Sequence, residues 1–166
     1  MGYARDHFRD LARYNAWANE RLYAACAGLT EADYLRPRPA FFKSIHGTLN
    51  HVLVGDRLWL ARFEGHRTGI TALDQTLYGD LAGLRVARRA EDARIAAFVE
   101  GLADRDLERP LAYRNIRGES HVDPLGRLLT HLFNHQTHHR GQVHDQLSQT
   151  PVAPPPLDFV YFLHEA

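Results

Sequence analysis

The chain has 166 residues, which is enough for one domain with an apolar core, and we expect a single domain over residues 1–166. Its 20 Lys and Arg residues balance 20 Asp and Glu residues, which argues against nucleic-acid or membrane-surface partners. A lone cysteine excludes an internal disulfide, and neither a signal peptide nor a membrane-spanning run is recognisable. These features together predict a cytoplasmic protein.

The first predicted helix covers about residues 3–27, where apolar residues recur at helical spacing. Cys26 lies on this apolar stripe, so we expect a core thiol rather than a nucleophile. Asn15 and Asn19 lie on the same stripe, and buried amides require partners. Either they form hydrogen bonds between helices, or one of them lines a site.

The second predicted helix covers about residues 45–64, with Ser44 as its N-cap and Gly65 at its end. Gly47 and Gly55 are unfavourable inside a helix, so we expect them to allow the close approach of a neighbouring helix.

A third helix is predicted from about residue 80 to residue 102. It carries a local basic cluster, Arg85, Arg88 and Arg89, which acidic residues follow directly. We interpret this cluster as a solvated helix face.

Residues 111–122 predict a short hairpin or an ordered loop, and a fourth helix follows to about residue 149. Asp123 is its expected cap, with Pro124 at the first helical position. Residues 159–164 predict a short C-terminal helix. Four long helices with apolar stripes indicate an all-α, up-and-down four-helix bundle.

Histidine is over-represented, with 11 in the chain and four within residues 131–139. His135 and His139 lie one helical turn apart on the apolar face, so their imidazoles can point at one ion. His131 and His138 lie on the flank, closer to solvent. Two desolvated histidines in adjacent turns both need partners, which favours a metal site over hydrogen-bonded core histidines.

A third ligand is expected from the second helix, and we select His51, because His46 lies on that helix's polar side. Small neighbours such as Gly55 leave room for an ion beside His51. Asp56 is either a group that supports the metal ligands or a buried acid paired with another core polar group.

Three histidines leave at least one coordination position open, which is typical of catalytic rather than structural sites. Zinc, nickel, iron, cobalt and manganese all accept imidazole, so the sequence does not select among them. Gln136 occupies the position at which a His-Glu-x-x-His motif carries its base, so the catalytic residues beyond the metal ligands are unknown.

Three segments of the chain resemble the DinB/YfiT-like family. They are residues 14–22, YNAWANERL; residues 44–51, SIHGTLNH, followed by Asp56 and Trp59; and residues 134–142, NHQTHHRGQ. The resemblance implies a four-helix bundle, usually a homodimer, with metal on His51, His135 and His139. It also implies a relationship to thiol-dependent enzymes, namely an isomerase that uses mycothiol and transferases that use bacillithiol.

We therefore carry three functional hypotheses forward. The first is a metal-dependent S-transferase whose small-molecule substrate is a low-molecular-weight thiol. The second is a metal-dependent hydrolase that uses metal-bound water. The third is a non-enzymatic, metal-stabilised binding protein of a stress response.

Overall fold

The computed structural model describes residues 3–165, with side chains from residue 5 onward. Residues 1, 2 and 166 of the predicted domain lie outside this part. In chain order the elements are α1 (Tyr3–Cys26), α2 (Glu31–Leu35), α3 (Ile45–Glu64), α4 (Leu81–Glu100), α5 (Asp104–Leu107), β1 (Pro110–Arg114), β2 (Ser120–Pro124), α6 (Leu125–Ser148) and α7 (Phe159–Glu165). The predicted four-helix bundle, with a hairpin and a short C-terminal helix, is confirmed.

The four long helices, α1, α3, α4 and α6, pack so that α1 and α3 each lie mainly against both α4 and α6. Side-chain contacts give the chain directions. Helix α3 runs antiparallel to α6, because Thr48 meets Gln146 while Trp59 meets His131. Helices α3 and α4 run parallel, and the connection over residues 65–80 makes the crossover. The four-helix bundle is as predicted, but this order of directions, up, down, down and up, differs from the simple alternation expected from the sequence.

Local chemistry explains where helix α3 begins and ends. The Ser44 hydroxyl accepts a hydrogen bond from the Gly47 backbone N–H group. Gly65 ends the helix, and its backbone adopts the left-handed conformation with φ 73°. Both predicted caps are confirmed. The expected Asp123 cap of the last long helix is wrong, since α6 begins after Pro124 without a side-chain cap, and Asp123 pairs in the hairpin instead.

The two larger apolar clusters of the core lie on either side of a layer of buried polar side chains. One contains Phe8, Leu60, Phe63 and Leu129, and the other contains Leu22, Leu53, Leu84 and Val143. A third, smaller cluster joins α1 to α7. The polar layer between the two larger clusters consists of Asn15, Asn19, Asp56, Arg88, Asp92, Gln136 and Arg140. Each long helix contributes to this layer.

The polar layer decides two of the alternatives left open by the sequence. Asn15 and Asn19 both donate to Asp92 on α4, so they bond between helices. Asp56 is a buried acid that pairs with Arg88 and accepts from the Gln136 amide.

The interpretation of the basic cluster as a solvated face is wrong for Arg88. Its side chain is 2% exposed and pairs with the buried Asp56 and Asp92. The prediction failed because the charged neighbours of Arg88 in the sequence suggested an exposed position. Two buried carboxylates pair with the guanidinium instead and allow it to be buried. Arg85 and Arg89 do reach the surface, where they pair with Glu20.

Cys26 is completely buried in the core, as predicted. Burial raises the pKa of the Cys26 thiol to about 12. The described helices include none long and apolar enough to cross a membrane.

Candidate metal centre

Three histidines converge on one point between α3 and α6. The His51 Nε2 atom lies 3.0 Å from the His135 Nε2 atom and 3.1 Å from the His139 Nε2 atom. The structure thus brings together all three residues selected from the sequence. His131 and His138 remain on the exposed flank, as predicted, and His46 contacts Tyr34 and Asn50 instead.

Hydrogen bonds at the opposite ring nitrogens orient two of the imidazoles. The His51 Nδ1–H group donates to the Leu73 carbonyl over 2.8 Å, because a carbonyl oxygen can only accept. The His139 Nδ1–H group donates to the Gln142 Oε1 atom over 2.7 Å. Both Nε2 atoms therefore carry a free lone pair, and this is the tautomer that metal-binding histidines use.

The Nδ1 atom of His135 has no hydrogen-bond partner among the described residues, so packing takes the orienting role at this ring. A Cβ atom added at Gly55 would lie 2.7 Å from the His135 Cε1 atom, so the ring occupies the space that this glycine leaves. The predicted close approach of a helix at Gly55 is confirmed. At Gly47 the close neighbour is instead the Phe42 carbonyl in the loop before α3.

The electrostatic environment keeps the three imidazoles neutral. Burial, together with the neighbouring imidazoles, lowers the pKa of His135 to about 3 and the pKa of His139 to about 4, although the hydrogen bond to Gln142 opposes the shift at His139. Burial also lowers the pKa of His51, although the Leu73 carbonyl opposes that shift. Neutral imidazole is the form that binds a metal ion.

This donor set fits a divalent metal ion. The lone pairs of His51 and His139 face each other at hydrogen-bond distance, yet neither Nε2 atom has a proton to donate. A shared cation satisfies both lone pairs at once. Metal–nitrogen bonds of about 2.0–2.1 Å place tetrahedral ligands about 3.3–3.4 Å apart, within a few tenths of an ångström of the observed spacings.

The three histidines lie at the floor of a cleft of about 650 Å³. Its walls are mainly apolar and come from Phe42, Leu58, Trp59, Leu73 and Ile116. The Phe42 ring stacks on the His51 ring with centroids 3.7 Å apart and covers one face of the ligand. Among the described residues that line the cleft, none is Asp, Glu, Lys, Ser, Thr, Tyr or Cys.

Sequence reasoning missed several residues of this cleft. Phe42 comes from an irregular loop and Ile116 from the hairpin turn, so no local periodicity connects either one with the histidines. Arg62 could have been found, because it continues the helical face of His51, Gly55 and Leu58 along α3.

Comparisons with known proteins agree with this fold. The family model described as "DinB family" matches residues 3–166. Protein DinB of Bacillus subtilis (strain 168) is 27% identical, with 92% of this chain and 91% of that protein covered. A crystal structure of a DinB-like protein from Bacillus cereus ATCC 10987 is similar with a TM-score of 0.64. The two sequences are 19% identical, and the match covers 84% of this chain and 90% of the other. At this low identity the match supports the fold alone. The chain belongs to the DinB family.

Proposed function

We propose that this DinB-family protein is a metal-dependent enzyme that joins a low-molecular-weight thiol, through its sulfur atom, to an electrophilic small molecule. One observation carries the proposal. Three imidazole Nε2 atoms converge at the floor of an open cleft, and the described lining residues offer no carboxylate, hydroxyl, amine or thiol group. We therefore expect the nucleophile of the reaction to come from outside the chain.

His51, His135 and His139 would hold the ion, and any of zinc, nickel, iron, cobalt and manganese is compatible with imidazole ligands. A divalent cation in this position supplies positive charge that stabilises a thiol as its thiolate near neutral pH. Three protein ligands leave room for the sulfur beside the ion.

The remaining residues of the cleft position the reactants. Leu73 and Gln142 orient two of the ligands, and Phe42 excludes water from one face of His51. The apolar walls around Leu58 and Trp59 suit the carbon skeleton of an electrophile. In the reaction, the thiolate electron pair forms a sulfur–carbon bond, the bond from that carbon to its leaving group breaks, and the thiol proton passes to solvent.

The proposed partners are thus a small thiol and a small electrophile, rather than nucleic acid or a membrane. A reducing cytoplasm is the compartment that supplies such thiols.

A panel of thiols with 1-chloro-2,4-dinitrobenzene tests the proposal, with absorbance recording the dinitrophenyl thioether that forms as chloride leaves. We expect a metal-dependent rate with at least one thiol in the parent protein, and no such rate in a His135→Ala, His139→Ala variant. A His144→Ala variant removes a histidine from the same helix that neither lines the cleft nor contacts the proposed ligands, so it should keep most of the rate. The absence of a metal-dependent rate with any thiol, including mycothiol and bacillithiol, would refute the transferase. Turnover of ester substrates without thiol would support the hydrolase instead.

A further inference from the structure

Arg62 is a cation at the edge of the metal cleft that lacks a carboxylate partner. It lies on α3 on the same face as His51 and Gly55, and it lines the cleft. Within residues 5–165, whose side chains the structure describes, the guanidinium of Arg62 forms neither an ion pair nor a hydrogen bond, and the backbone carbonyl of this residue accepts one from Gly65. The arginines nearby on α3 and α4 differ in this respect, since Arg57, Arg88 and Arg94 each pair with an acid.

The surroundings of Arg62 leave its hydrogen-bond donors free. The guanidinium carbon lies 4.5 Å from the centroid of the Trp59 ring and 5.4 Å from that of Tyr113. Contacts with ring faces use the flat side of the guanidinium, while its N–H donors lie along the edge. Burial lowers the pKa of Arg62, and an anion beside it would offset that cost.

The charge around this end of the cleft is positive, although the chain has a formal net charge of zero. Arg62 and Arg117 both line the cleft, and no Asp or Glu is among its described lining residues. A second cleft on the other side of Arg62, between residues 65–71 and β1, is lined by Arg67 and Arg114 and also lacks acids among its described lining residues. Such an arrangement concentrates anions at Arg62.

The distance from Arg62 to the histidines suits a small bifunctional molecule. Gly55, which packs on His135, precedes Arg62 by two helical turns, or about 10 Å of rise. Side chains on a helix lean towards its N-terminus, so the guanidinium reaches back over Trp59 towards the metal ligands.

We propose that Arg62 binds a carboxylate of the substrate, whose reacting end lies at His51, His135 and His139. The inference rests on the proposed function for the position of the reacting end. Either the thiol or the electrophile could carry the carboxylate, and in both cases the fork of the guanidinium recognises it through paired hydrogen bonds.

A matched pair of thiols tests this inference by direct binding. In cobalt(II)-loaded protein, the sulfur-to-cobalt absorption band reports thiol binding without turnover. We expect 6-mercaptohexanoate to bind roughly tenfold more tightly than 6-mercaptohexanol, which has the same length and lacks the charge. Arg62→Gln should abolish this preference, and Arg62→Lys should keep only part of it. Arg127→Gln, which removes an exposed cation on α6, should leave the preference unchanged.

The outcomes separate the two proposals. Equal binding of both thiols by the parent, or an intact preference in Arg62→Gln with a native circular dichroism spectrum, would overturn the role of Arg62 and leave the transferase standing. If neither thiol changes the cobalt band, the proposed function is contradicted.

In that case, calorimetry of hexanoate binding to the metal-free parent and to the Arg62→Gln variant tests whether Arg62 binds a carboxylate independently of the metal. Loss of binding in the variant supports the site, and equal or absent binding in both proteins overturns it.

Discussion

Substitution of Gly55 by alanine should weaken metal binding without unfolding the protein. The added Cβ atom would lie 2.7 Å from the His135 Cε1 atom, whereas ordinary contacts begin near 3.4 Å, so the ring must move by about 0.7 Å. Metal–ligand distances tolerate only about 0.2 Å. Loss of a group that orients a ligand typically costs about 10- to 100-fold in metal affinity, and we expect a loss in that range.

Opposing effects should keep the stability of the metal-free variant close to that of the parent. Alanine is favoured over glycine inside a helix by about 1 kcal/mol, whereas the crowding costs about 1–3 kcal/mol. Gly141→Ala is the matched control on α6, because nothing lies within 4 Å of its added Cβ atom. It should stabilise the protein by up to about 1 kcal/mol and leave metal affinity unchanged.

Competition with a chromogenic chelator measures the metal affinities, and urea unfolding of the metal-free proteins measures the stabilities. Parent-like metal affinity in Gly55→Ala would refute the reasoning, because it would mean that the position of His135 does not determine binding. A similar loss of affinity in Gly141→Ala would refute it equally, because the effect would then not depend on contact with the ligand.

Three further predictions concern the support of the site and the core. Gln142→Ala removes the acceptor of the His139 Nδ1–H group and should weaken metal binding by about tenfold in the same chelator assay. An unchanged metal affinity would argue against the orienting role of Gln142. Cys26 should resist iodoacetamide in the native protein from pH 7 to pH 10, because its raised pKa of about 12 keeps the thiol neutral, while urea-unfolded protein should react increasingly above about pH 8. Native labelling at the unfolded rate would contradict the buried position. Arg88→Met leaves two buried carboxylates without their cation and should lower the free energy of unfolding by about 3–5 kcal/mol in urea titrations. The surface substitution Arg89→Gln should change this free energy little. Equal effects of the two substitutions would contradict the burial of Arg88.

The convergence of His51, His135 and His139 could be predicted from the sequence because helical periodicity is a local property. His135 and His139 share a face by their spacing alone. Gly55 was expected to leave room for an ion, and the His135 ring takes that space instead. The caps at Ser44 and Gly65 were likewise predictable from adjacent residues.

Features that depend on long-range packing could not be predicted in this way. The burial of Arg88 depends partly on Asp56, which lies 32 positions away on a different helix. Nothing local to residues 65–80 indicates that this connection crosses over to place α4 parallel to α3. The places of Phe42 and the hairpin in the cleft also follow from tertiary contacts. The homodimer implied by the family resemblance stays a prediction.

The most direct test of the central claim is the metal content of untagged protein, purified in the presence of divalent metals and analysed by mass spectrometry. We expect about one metal ion per chain in the parent and in the His144→Ala variant, and very little in the His135→Ala, His139→Ala variant. Negligible metal in the parent, or equal metal in the parent and the variant that lacks His135 and His139, would contradict the metal centre and remove the basis of the proposed enzyme.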